Sequence, residues 1–311
     1  LRERAGEFSR RRRHCRGRDS RGRVARNSCQ RSWAAACAGG DLKALFNGEA
    51  AGDWAQSRGL HYGDGVFRTL LAWQGQLLDW EAQFEKLAAD CGALGLEPPS
   101  AKCLLDEARK LLAGHDRAVI KIMVWRKTAG RGYMPAGSGS ERLCLVYPAP
   151  RYPAVSWDSG VRAFKCDIPL SSQLVLAGIK HLNRLEQVLA TRAWPDGVEE
   201  GIFCDESGHV ICGTRSNLFW VSKGQLMTPS LHRCGVAGVM RNKINKLSSL
   251  VNMPVHIVDA SWDTLLNSDE AFICNSLIGI WPLRSLASRQ WEKRGPMTTA
   301  LQTALAHPRL T

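Results

Sequence analysis

Residues 178–186 read Gly178-Ile179-Lys180-His181-Leu182-Asn183-Arg184-Leu185-Glu186. A lysine amine can join an aldehyde cofactor as a Schiff base and can act as a base once it is released. A single lysine after a glycine is more often a solvated surface charge. Here, however, Gly178 permits a close backbone approach, and polar Asn183 and Arg184 stand beside a short apolar run. Lys180 is therefore a candidate for cofactor attachment, and the rest of the sequence must support or weaken it.

Two glycine-containing stretches support it. They read Gly213-Thr214-Arg215-Ser216-Asn217-Leu218-Phe219 and Cys234-Gly235-Val236-Ala237-Gly238-Val239-Met240-Arg241. In each, a glycine ends a strand-like segment, where backbone amides can face a phosphate group. Gly238 also begins a predicted helix, and the amino end of a helix favours an anion. Both stretches are thus candidates for phosphate binding.

The composition is that of a globular protein. The chain has 311 residues, enough for two domains, with 44% apolar and 23% charged residues. It contains no apolar run of the ~18 residues that a transmembrane helix needs, so no membrane association is expected. Eleven cysteines without a CxxC pair argue against a disulfide framework or a zinc site and indicate a reducing, cytoplasmic environment. We expect no metal site.

The net charge of +13 is concentrated at one end of the chain. Residues 1–31 contain twelve arginines, no lysine and three acids, a net charge of +9, so the remaining 280 residues carry only +4. Such a segment could bind phosphate backbones, but its lack of periodicity and apolar residues favours disorder. A misassigned start or an organellar transit peptide has a similar composition. We expect residues 1–41 to be a disordered Arg-rich extension or an artefact, and no nucleic-acid partner.

The rest of the chain divides into two halves. Three prolines within Pro148–Pro153 resist both helix and strand, so we place a linker at residues 148–156. It separates a small domain at 42–147 from a larger one at 157–296, which a tail at 297–311 follows. Both halves mix strands and helices, which predicts an α+β protein with a cleft between two domains.

The predicted elements follow from apolar spacing and from turn residues. An apolar stripe predicts a helix over residues 80–94, which Gly95 and Pro98-Pro99 end. Further helices are predicted at 101–112, 183–194 and 238–252. Strands are predicted at 43–46, 66–73, 118–125, 143–147, 161–166, 200–204, 210–212, 217–222, 225–228, 254–258 and 271–275.

Six motifs together resemble the fold-type IV pyridoxal-phosphate enzymes, the class of the branched-chain and D-amino acid aminotransferases. The resemblance covers residues from about 43 to 290 and implies two α/β domains with pyridoxal 5'-phosphate in the cleft between them. The Gly-Arg-Gly-Tyr and Lys-His-Leu-Asn-Arg runs resemble the lyases of this class that act on 4-amino-4-deoxychorismate. The motifs are Tyr62–Phe67, Gly130–Tyr133, Lys180–Glu186, Ser216–Phe219, Gly235–Arg241 and Asn275–Pro282.

The resemblance implies roles for the cofactor-binding residues. Lys180 would carry the cofactor as an internal aldimine. The backbone amides of Val239 and Met240 and the hydroxyl of Ser276 would hold its phosphate, and Asn275 would support that loop. The implied cofactor set further includes Asn217, Lys86 and Cys212.

The resemblance also implies a substrate site and a reaction. Arg131 and Tyr133 would face the substrate, since a planar guanidinium suits the carboxylates of aminodeoxychorismate. The freed Lys180 would remove a ring proton, and loss of the enolpyruvyl group as pyruvate would leave 4-aminobenzoate, a precursor in folate biosynthesis. The family's sites lie near a dimer interface, which implies a homodimer. Asp64 is interpreted as fixing the Gly63–Gly65 turn rather than as a catalytic group.

Three positions depart from the family's pattern. Five residues before Asn217, where the family usually has a glutamate that pairs with the pyridine nitrogen, this chain has Cys212. A phosphate-contacting arginine is replaced by Lys86, which keeps the charge but loses the bidentate fork. A histidine three residues earlier is replaced by Gln83. Either a weaker electron sink suffices because the product becomes aromatic, which we favour, or the chain is a catalytically impaired pyridoxal-phosphate-binding protein.

Two rival functions stay open at this point. An aminotransferase of the same fold would act on D- or branched-chain amino acids and would use 2-oxoglutarate as a second substrate. A non-catalytic protein that used the basic extension on nucleic acid would bind it in a salt-sensitive way and would show no visible cofactor absorbance.

Overall fold

The computed structural model describes residues 43–49, 56–128, 130–250, 252–292 and 294–311. The extension predicted at residues 1–41 lies outside the described residues. None of the helices within these ranges combines the length and the apolar character that a bilayer crossing requires.

The amino-terminal half is an antiparallel sheet of five strands with two longer helices packed on it. The elements are β1 (Ala44–Phe46), α1 (Arg58–Tyr62), β2 (Gly65–Trp73), β3 (Gln76–Leu77), α2 (Trp80–Ala93), α3 (Ala101–Leu112), β4 (Arg117–Arg126) and β5 (Ser140–Pro148). The strands lie in the order β1, β5, β4, β2, β3, and every neighbouring pair is antiparallel. The apolar stripes of α2 and α3, which include Leu87 and Leu104, form one core with Leu70 and Ile120 of the sheet.

The carboxyl-terminal half is built on a mixed sheet of nine strands. Its helices are α4 (Val155–Asp158), α5 (Leu185–Ala190), α6 (Val239–Leu250), α7 (Trp262–Leu266) and α8 (Pro296–Leu305). Its strands are β6 (Val161–Lys165), β7 (Glu200–Cys204), β8 (Val210–Gly213), β9 (Asn217–Ser222), β10 (Gln225–Pro229), β11 (Val255–Val258), β12 (Glu270–Asn275), β13 (Gly279–Leu286) and β14 (Arg289–Gln290). They lie in the order β11, β10, β9, β12, β13, β6, β7, β8, and β14 pairs with β13.

The predicted α+β class with two α/β domains is confirmed, but two predicted segments differ. The helix predicted at 183–194 is shorter, because α5 is followed by a 3-10 turn at Thr191–Ala193. Residues 297–311, predicted as a tail, include most of α8. Leu301 and Leu305 of α8 are buried and pack in one cluster with Phe219 and Phe272, so burial of this apolar stripe holds the segment on the larger domain.

Backbone pairing joins the two halves at the beginning of β2. The N–H of Phe67 donates to the carbonyl oxygen of Lys180 at 3.0 Å, and the N–H of Leu182 donates to the carbonyl oxygen of Gly65 at 2.9 Å. Gly65 leaves no room for a side chain, because a Cβ there would lie 2.7 Å from the Cα of Trp125. The pairing therefore places Lys180 at the boundary between the two halves.

Candidate active site

Lys180 lines a cavity of about 630 Å³ to which both halves contribute. The first half supplies residues of β2 and α2, among them Phe67 and Gln83, and the second supplies the ends of β8, β9 and β12 and the start of α6. A volume of this size is within the range of small-molecule sites, about 300–1,000 Å³.

The amine of Lys180 is held in a buried, electropositive environment. Its Nζ lies 4.5 Å from the centre of the Phe67 ring. Burial lowers the pKa of Lys180 to about 7, with further lowering by the positive charges of Arg184, Arg68 and Lys121. A large fraction of the amine is therefore neutral near physiological pH, when it can act as a nucleophile and can take up and return a proton.

Cys212, at the end of β8, presents a neutral thiol to this cavity. Burial raises the pKa of Cys212 above its ordinary value, and the neighbouring Cys234 and Glu200 raise it further. The carboxylate of Glu200 does not compensate, because it is saturated by other donors. Its Oε2 accepts from the Ser216 hydroxyl at 2.7 Å and its Oε1 accepts from the backbone N–H of Gly201 at 3.0 Å.

The beginning of α6 forms an anion-binding corner. The side chain of Asn217 donates to the carbonyl oxygen of Val236 at 2.7 Å and accepts from the N–H of Gly238 at 3.2 Å. A Cβ at Gly238 would run into the Asn217 side chain, so only glycine fits there. The first amides of a helix have no acceptor within it, and Val239 and Met240 both line the cavity. Their amides are available to a phosphate or carboxylate.

The turn after β12 closes the same corner. The Oδ1 of Asn275 accepts from the N–H groups of Leu277 and Ile278 at 2.8 and 3.0 Å. This holds the turn that carries Ser276, whose hydroxyl accepts from Nε2 of Gln83 at 2.8 Å. Gln83, which stands where the family usually has histidine, therefore connects α2 of the first domain to the anion-binding corner of the second.

Most of the described residues that line the cavity are uncharged. The charged ones are mostly basic: Arg68, Lys180, Arg184 and Arg215, against the single carboxylate of Glu186. Nη2 of Arg184 lies 2.6 Å from Nε2 of His181, and Nε of Arg184 is buried with no hydrogen-bond partner in the described part of the chain. Such a lining favours a ligand with more than one negative charge.

His181 stays neutral in this environment. Burial lowers the pKa of His181 to about 4, and the charge of Arg184 lowers it further. Its Nδ1 is buried and has no hydrogen-bond partner within the described ranges, so His181 offers the cavity a neutral polar group rather than a charge.

Three predicted site residues do not reach the cavity within the described part of the chain. Lys86 pairs with the carboxylate of Asp90 and donates to the carbonyl oxygen of Gly178 at 3.1 Å. Arg131 and Tyr133 lie in an exposed segment, where Tyr133 is 86% exposed. The other seven predicted residues line the one cavity: Lys180, Cys212, Asn217, Val239, Met240, Asn275 and Ser276.

Arg68 and Thr69 also line the cavity and were not among the predicted site residues. For Arg68 a signal was present in the sequence. Side chains alternate between the two faces of a strand, and Arg68 shares its face with Val66 and Leu70, which are fully buried. A charged residue on the apolar face of a strand indicates either a buried ion pair or a ligand.

Comparison with known proteins agrees with this geometry. Residues 65–286 match the family model described as amino-transferase class IV. The chain is 37% identical over 236 residues to aminodeoxychorismate lyase from Vibrio harveyi, across 74% of this chain and 86% of that protein. It is 29% identical over 237 residues to a putative branched-chain-amino-acid aminotransferase from Methanocaldococcus jannaschii, across 74% of this chain and 81% of that protein.

Solved structures are similar over an even larger part of the chain. The crystal structure of 4-amino-4-deoxychorismate lyase from Pseudomonas aeruginosa superposes with a TM-score of 0.77 and 38% identity, across 84% of this chain and 97% of that chain. The Escherichia coli branched-chain amino acid aminotransferase superposes with a TM-score of 0.75 at 24% identity, across 85% of this chain and 93% of that chain. The second similarity concerns the fold alone.

Proposed function

The chain belongs to the amino-transferase class IV family, and from this premise we propose that it binds pyridoxal 5'-phosphate and converts 4-amino-4-deoxychorismate to 4-aminobenzoate and pyruvate. The observation that carries the proposal is the buried amine of Lys180, with a pKa of about 7, in a cavity whose charged lining residues are mostly basic. The greater identity to the lyase than to the aminotransferase relative supports the lyase reaction.

The residues present fit the cofactor. Lys180 would hold its aldehyde carbon, and the corner formed by the amides of Val239 and Met240 with Ser276 would hold its phosphate. Asn217 also accepts from the N–H of Gly238, where a Cβ would clash with the Asn217 side chain, so this turn keeps its shape next to that group only with glycine at 238. When bound, pyridoxal phosphate supplies an electron-accepting ring to which the substrate amine is attached.

Lys180 is the proton carrier of the proposed reaction. With a pKa of about 7, its amine takes a proton from the substrate ring and returns one without a large energy difference between its two states. The Phe67 ring lies 4.5 Å from Nζ and places an apolar surface beside it. The backbone of Lys180 is held by its hydrogen bond with the N–H of Phe67.

The two carboxylates of the substrate would bind the cationic side of the cavity. Arg184 and Arg215 line it, and a guanidinium matches a carboxylate with two parallel hydrogen bonds. Arg184 has a buried Nε that no described residue accepts from, which is a donor position that a substrate carboxylate would satisfy. We propose Arg184 as a substrate-binding residue in addition to Arg131 and Tyr133.

A homodimer would bring Arg131 and Tyr133 to a substrate site. Leu60, Tyr133 and Met134 are 72%, 86% and 89% exposed, and Tyr62 and Tyr133 are in edge contact with ring centres 5.4 Å apart. Exposed apolar groups of this size mark interaction surfaces. We propose that this surface packs on a second copy, so that segment 130–134 of one chain covers the cavity mouth of the other.

Mixing two inactive variants tests the shared site. Arg131→Ala and Lys180→Ala, refolded together, should regain activity, because a mixed dimer contains one site with both residues intact. Arg131→Ala refolded alone is the control. If the mixture stays inactive although mixed dimers form, Arg131 does not act across the interface.

Two measurements test the proposed function itself. The protein with pyridoxal phosphate should show a visible absorption band that Lys180→Ala loses and that Lys121→Ala, a lysine 5.3 Å from the same Phe67 ring, keeps. In the second measurement, the protein should release pyruvate from 4-amino-4-deoxychorismate without a second substrate. Turnover of D-alanine or a branched-chain amino acid with 2-oxoglutarate, without pyruvate release from aminodeoxychorismate, would instead establish an aminotransferase. Cofactor binding with neither activity would indicate a catalytically impaired protein.

We place the activity in the cytoplasm. All eight cysteines of the described residues are free thiols, although seven are buried in the folded body, and unpaired cysteines are usual in a reducing compartment.

A further inference from the structure

Arg68 of β2 is a buried cation with an unsatisfied donor. The residue is 2% exposed, and it lines the cavity beside Lys180. Its Nη2 pairs with the carboxylate of Asp90 and donates to the carbonyl oxygen of Lys86 at 3.2 Å. Its Nε is buried and has no hydrogen-bond partner among the described residues. A buried donor left unpaired on a charged group costs folding free energy, which a ligand in the cavity would recover.

Lys86 is held away from the same cavity. Its Nζ is engaged by the carboxylate of Asp90 and by the carbonyl oxygen of Gly178, and Lys86 is not among the described residues that line the cavity. Asp90 is 1% exposed and also accepts from the backbone N–H of Lys180 at 3.1 Å. One carboxylate thus binds two cations and the backbone of Lys180.

The charge balance of this cluster leaves one positive charge over. Arg68, Lys86 and Asp90 together carry a net charge of +1 in a buried place, and burial lowers the pKa of Arg68 although Asp90 opposes the change. An anion next to Arg68 would neutralise the excess. The guanidinium contacts α2 at Lys86, one turn after Gln83, and the side chain of Gln83 donates to Ser276 in the anion-binding corner.

We propose that Arg68, and not Lys86, supplies the cationic contact for the cofactor's phosphate in this chain, with Asp90 as the positioning residue that keeps Lys86 out of the cavity. The inference rests on the proposed function, because it takes pyridoxal phosphate as the ligand. It moves the phosphate-binding cation from helix α2 to strand β2. In this arrangement the lysine at 86 contributes to charge balance and to the backbone of Gly178, and the guanidinium fork is retained at another position.

Comparing the binding of pyridoxal phosphate with that of pyridoxal isolates the phosphate contact. Dissociation constants are measured by visible absorbance for the parent, Arg68→Gln and Lys86→Gln. We expect Arg68→Gln to weaken pyridoxal phosphate binding about 10- to 100-fold, the value of a charge-assisted hydrogen bond, and to leave pyridoxal binding nearly unchanged. Lys86→Gln should change the ratio of the two constants little. The reverse pattern would overturn the proposal: Lys86→Gln would abolish the preference for pyridoxal phosphate over pyridoxal, and Arg68→Gln would keep it.

Inorganic phosphate provides a second readout that does not depend on the covalent cofactor. Phosphate should raise the melting temperature of the cofactor-free parent and of Lys86→Gln, but not of Arg68→Gln. Equal stabilisation of Arg68→Gln and the parent would contradict the assignment. If the parent itself shows no visible absorbance with pyridoxal phosphate, the proposed function has failed, and this is recognised before any variant is compared.

Two further variants cover folding and the role of Asp90. If Arg68→Gln does not fold, Arg68→Lys replaces it, because this variant keeps the ion pair with Asp90 and loses the Nε donor. We expect Arg68→Lys to reduce the preference for pyridoxal phosphate over pyridoxal several-fold. Adding Asp90→Asn to Arg68→Gln should recover part of the ratio, because Lys86 is released toward the cavity, and a third change, Lys86→Gln, should remove that recovery. If Asp90 has only a structural role, adding Asp90→Asn will not change the ratio of dissociation constants measured for Arg68→Gln. That outcome would refute the positioning role of Asp90.

Discussion

The amine of Lys180 lies 4.5 Å from the centre of the Phe67 ring, and the backbone N–H of Phe67 donates to the carbonyl oxygen of the same lysine at 3.0 Å. One residue of β2 therefore contacts both the backbone and the side chain of Lys180. The ring also lies 5.3 Å from Nζ of Lys121, a second positive charge that lowers the pKa of Lys180. The chemistry of the lysine consequently depends on how the first domain is docked on the second.

Removing the buried amine should stabilise the cofactor-free protein. An unfolded lysine has a pKa of about 10.4, and in the fold the pKa of Lys180 is about 7. Between these values the unfolded chain binds more protons, so the parent gains stability as the pH rises through this window, and below it the full penalty applies. We expect Lys180→Met to be more stable than the parent by a few kcal/mol at neutral pH, at ~1.36 kcal/mol per pKa unit.

Urea unfolding of the cofactor-free proteins at several pH values measures this difference. It should shrink toward zero as the pH approaches about 10. Lys102→Met, which changes a lysine with an 86% exposed side chain, is the control and should shift the unfolding midpoint little. A stability gain in Lys180→Met that does not depend on pH would show that the titration of this amine is not its cause.

Restoring a carboxylate at Cys212 should not increase the lyase reaction strongly. The thiol is buried, and burial raises its pKa, so it offers no negative charge to the cofactor ring. If aromatisation of the product drives the elimination, Cys212→Glu should raise pyruvate release by less than about tenfold, or ~1.4 kcal/mol in the barrier. Cys212→Ser, neutral and of similar size, is the matched control. A many-fold greater rate in the glutamate variant would show that the natural chain is impaired.

Two glycine-to-alanine changes should have opposite effects on stability. At Gly65 a Cβ would lie 2.7 Å from the Cα of Trp125, and the carbonyl oxygen of Gly65 accepts from Leu182. Gly65→Ala should therefore destabilise the protein by about 1–3 kcal/mol. Gly92, exposed in α2, has nothing within 4 Å of the corresponding position, so Gly92→Ala should stabilise it by about 0.5–1 kcal/mol. Urea unfolding compares the two, and a neutral Gly65→Ala would contradict the close contact.

Asp64 should control the exposed segment that contains Arg131. Its Oδ2 accepts from Nε of Arg58 at 2.8 Å and from Nε of Arg126 at 3.0 Å. Arg58 in turn donates to the carbonyl oxygens of Gly132 and Tyr133 at 2.7 and 3.0 Å. Asp64→Asn removes the charge that orients Arg58, so trypsin should cleave after Arg131 several-fold faster.

Mass spectrometry of timed digests gives the rate of this cleavage. Asp106→Asn, which removes a partner of the exposed Lys102, serves as the control and should digest like the parent. Equal cleavage rates in Asp64→Asn and the parent would mean that Arg58 holds the segment without Asp64.

The sequence predicted those helices and strands whose formation depends mainly on residues close together in the chain. Helix α3 has the predicted bounds, because the side chain of Ser100 caps it at Cys103 and an apolar stripe of period 3.6 runs through it. Strands β7 and β9 likewise have the predicted bounds. Strand β13 was not predicted, and it contains Pro282, which lacks a backbone donor. Its pairing with β12 and β6 is what forms it.

In the candidate site, too, some features could be predicted from nearby residues and others depend on the tertiary fold. The motifs around Lys180, Asn217, Val239 and Ser276 could be found in the sequence, because each is a short turn or helix start whose shape depends on adjacent residues. The sequence could not show that Lys86 is bound by Asp90 and Gly178, the latter 92 residues away. That arrangement, and the presence of Arg68 in the cavity lining, depend on which side chains the fold brings together.

For Lys180, the type of reactive group and its flanking turns were already present in the sequence, since covalent chemistry and local backbone preferences belong to the residues themselves. Its pKa of about 7 could not be read from the sequence. That value comes from burial between two domains and from the positive charges of Arg184, Arg68 and Lys121, and both depend on distances that only the tertiary fold sets.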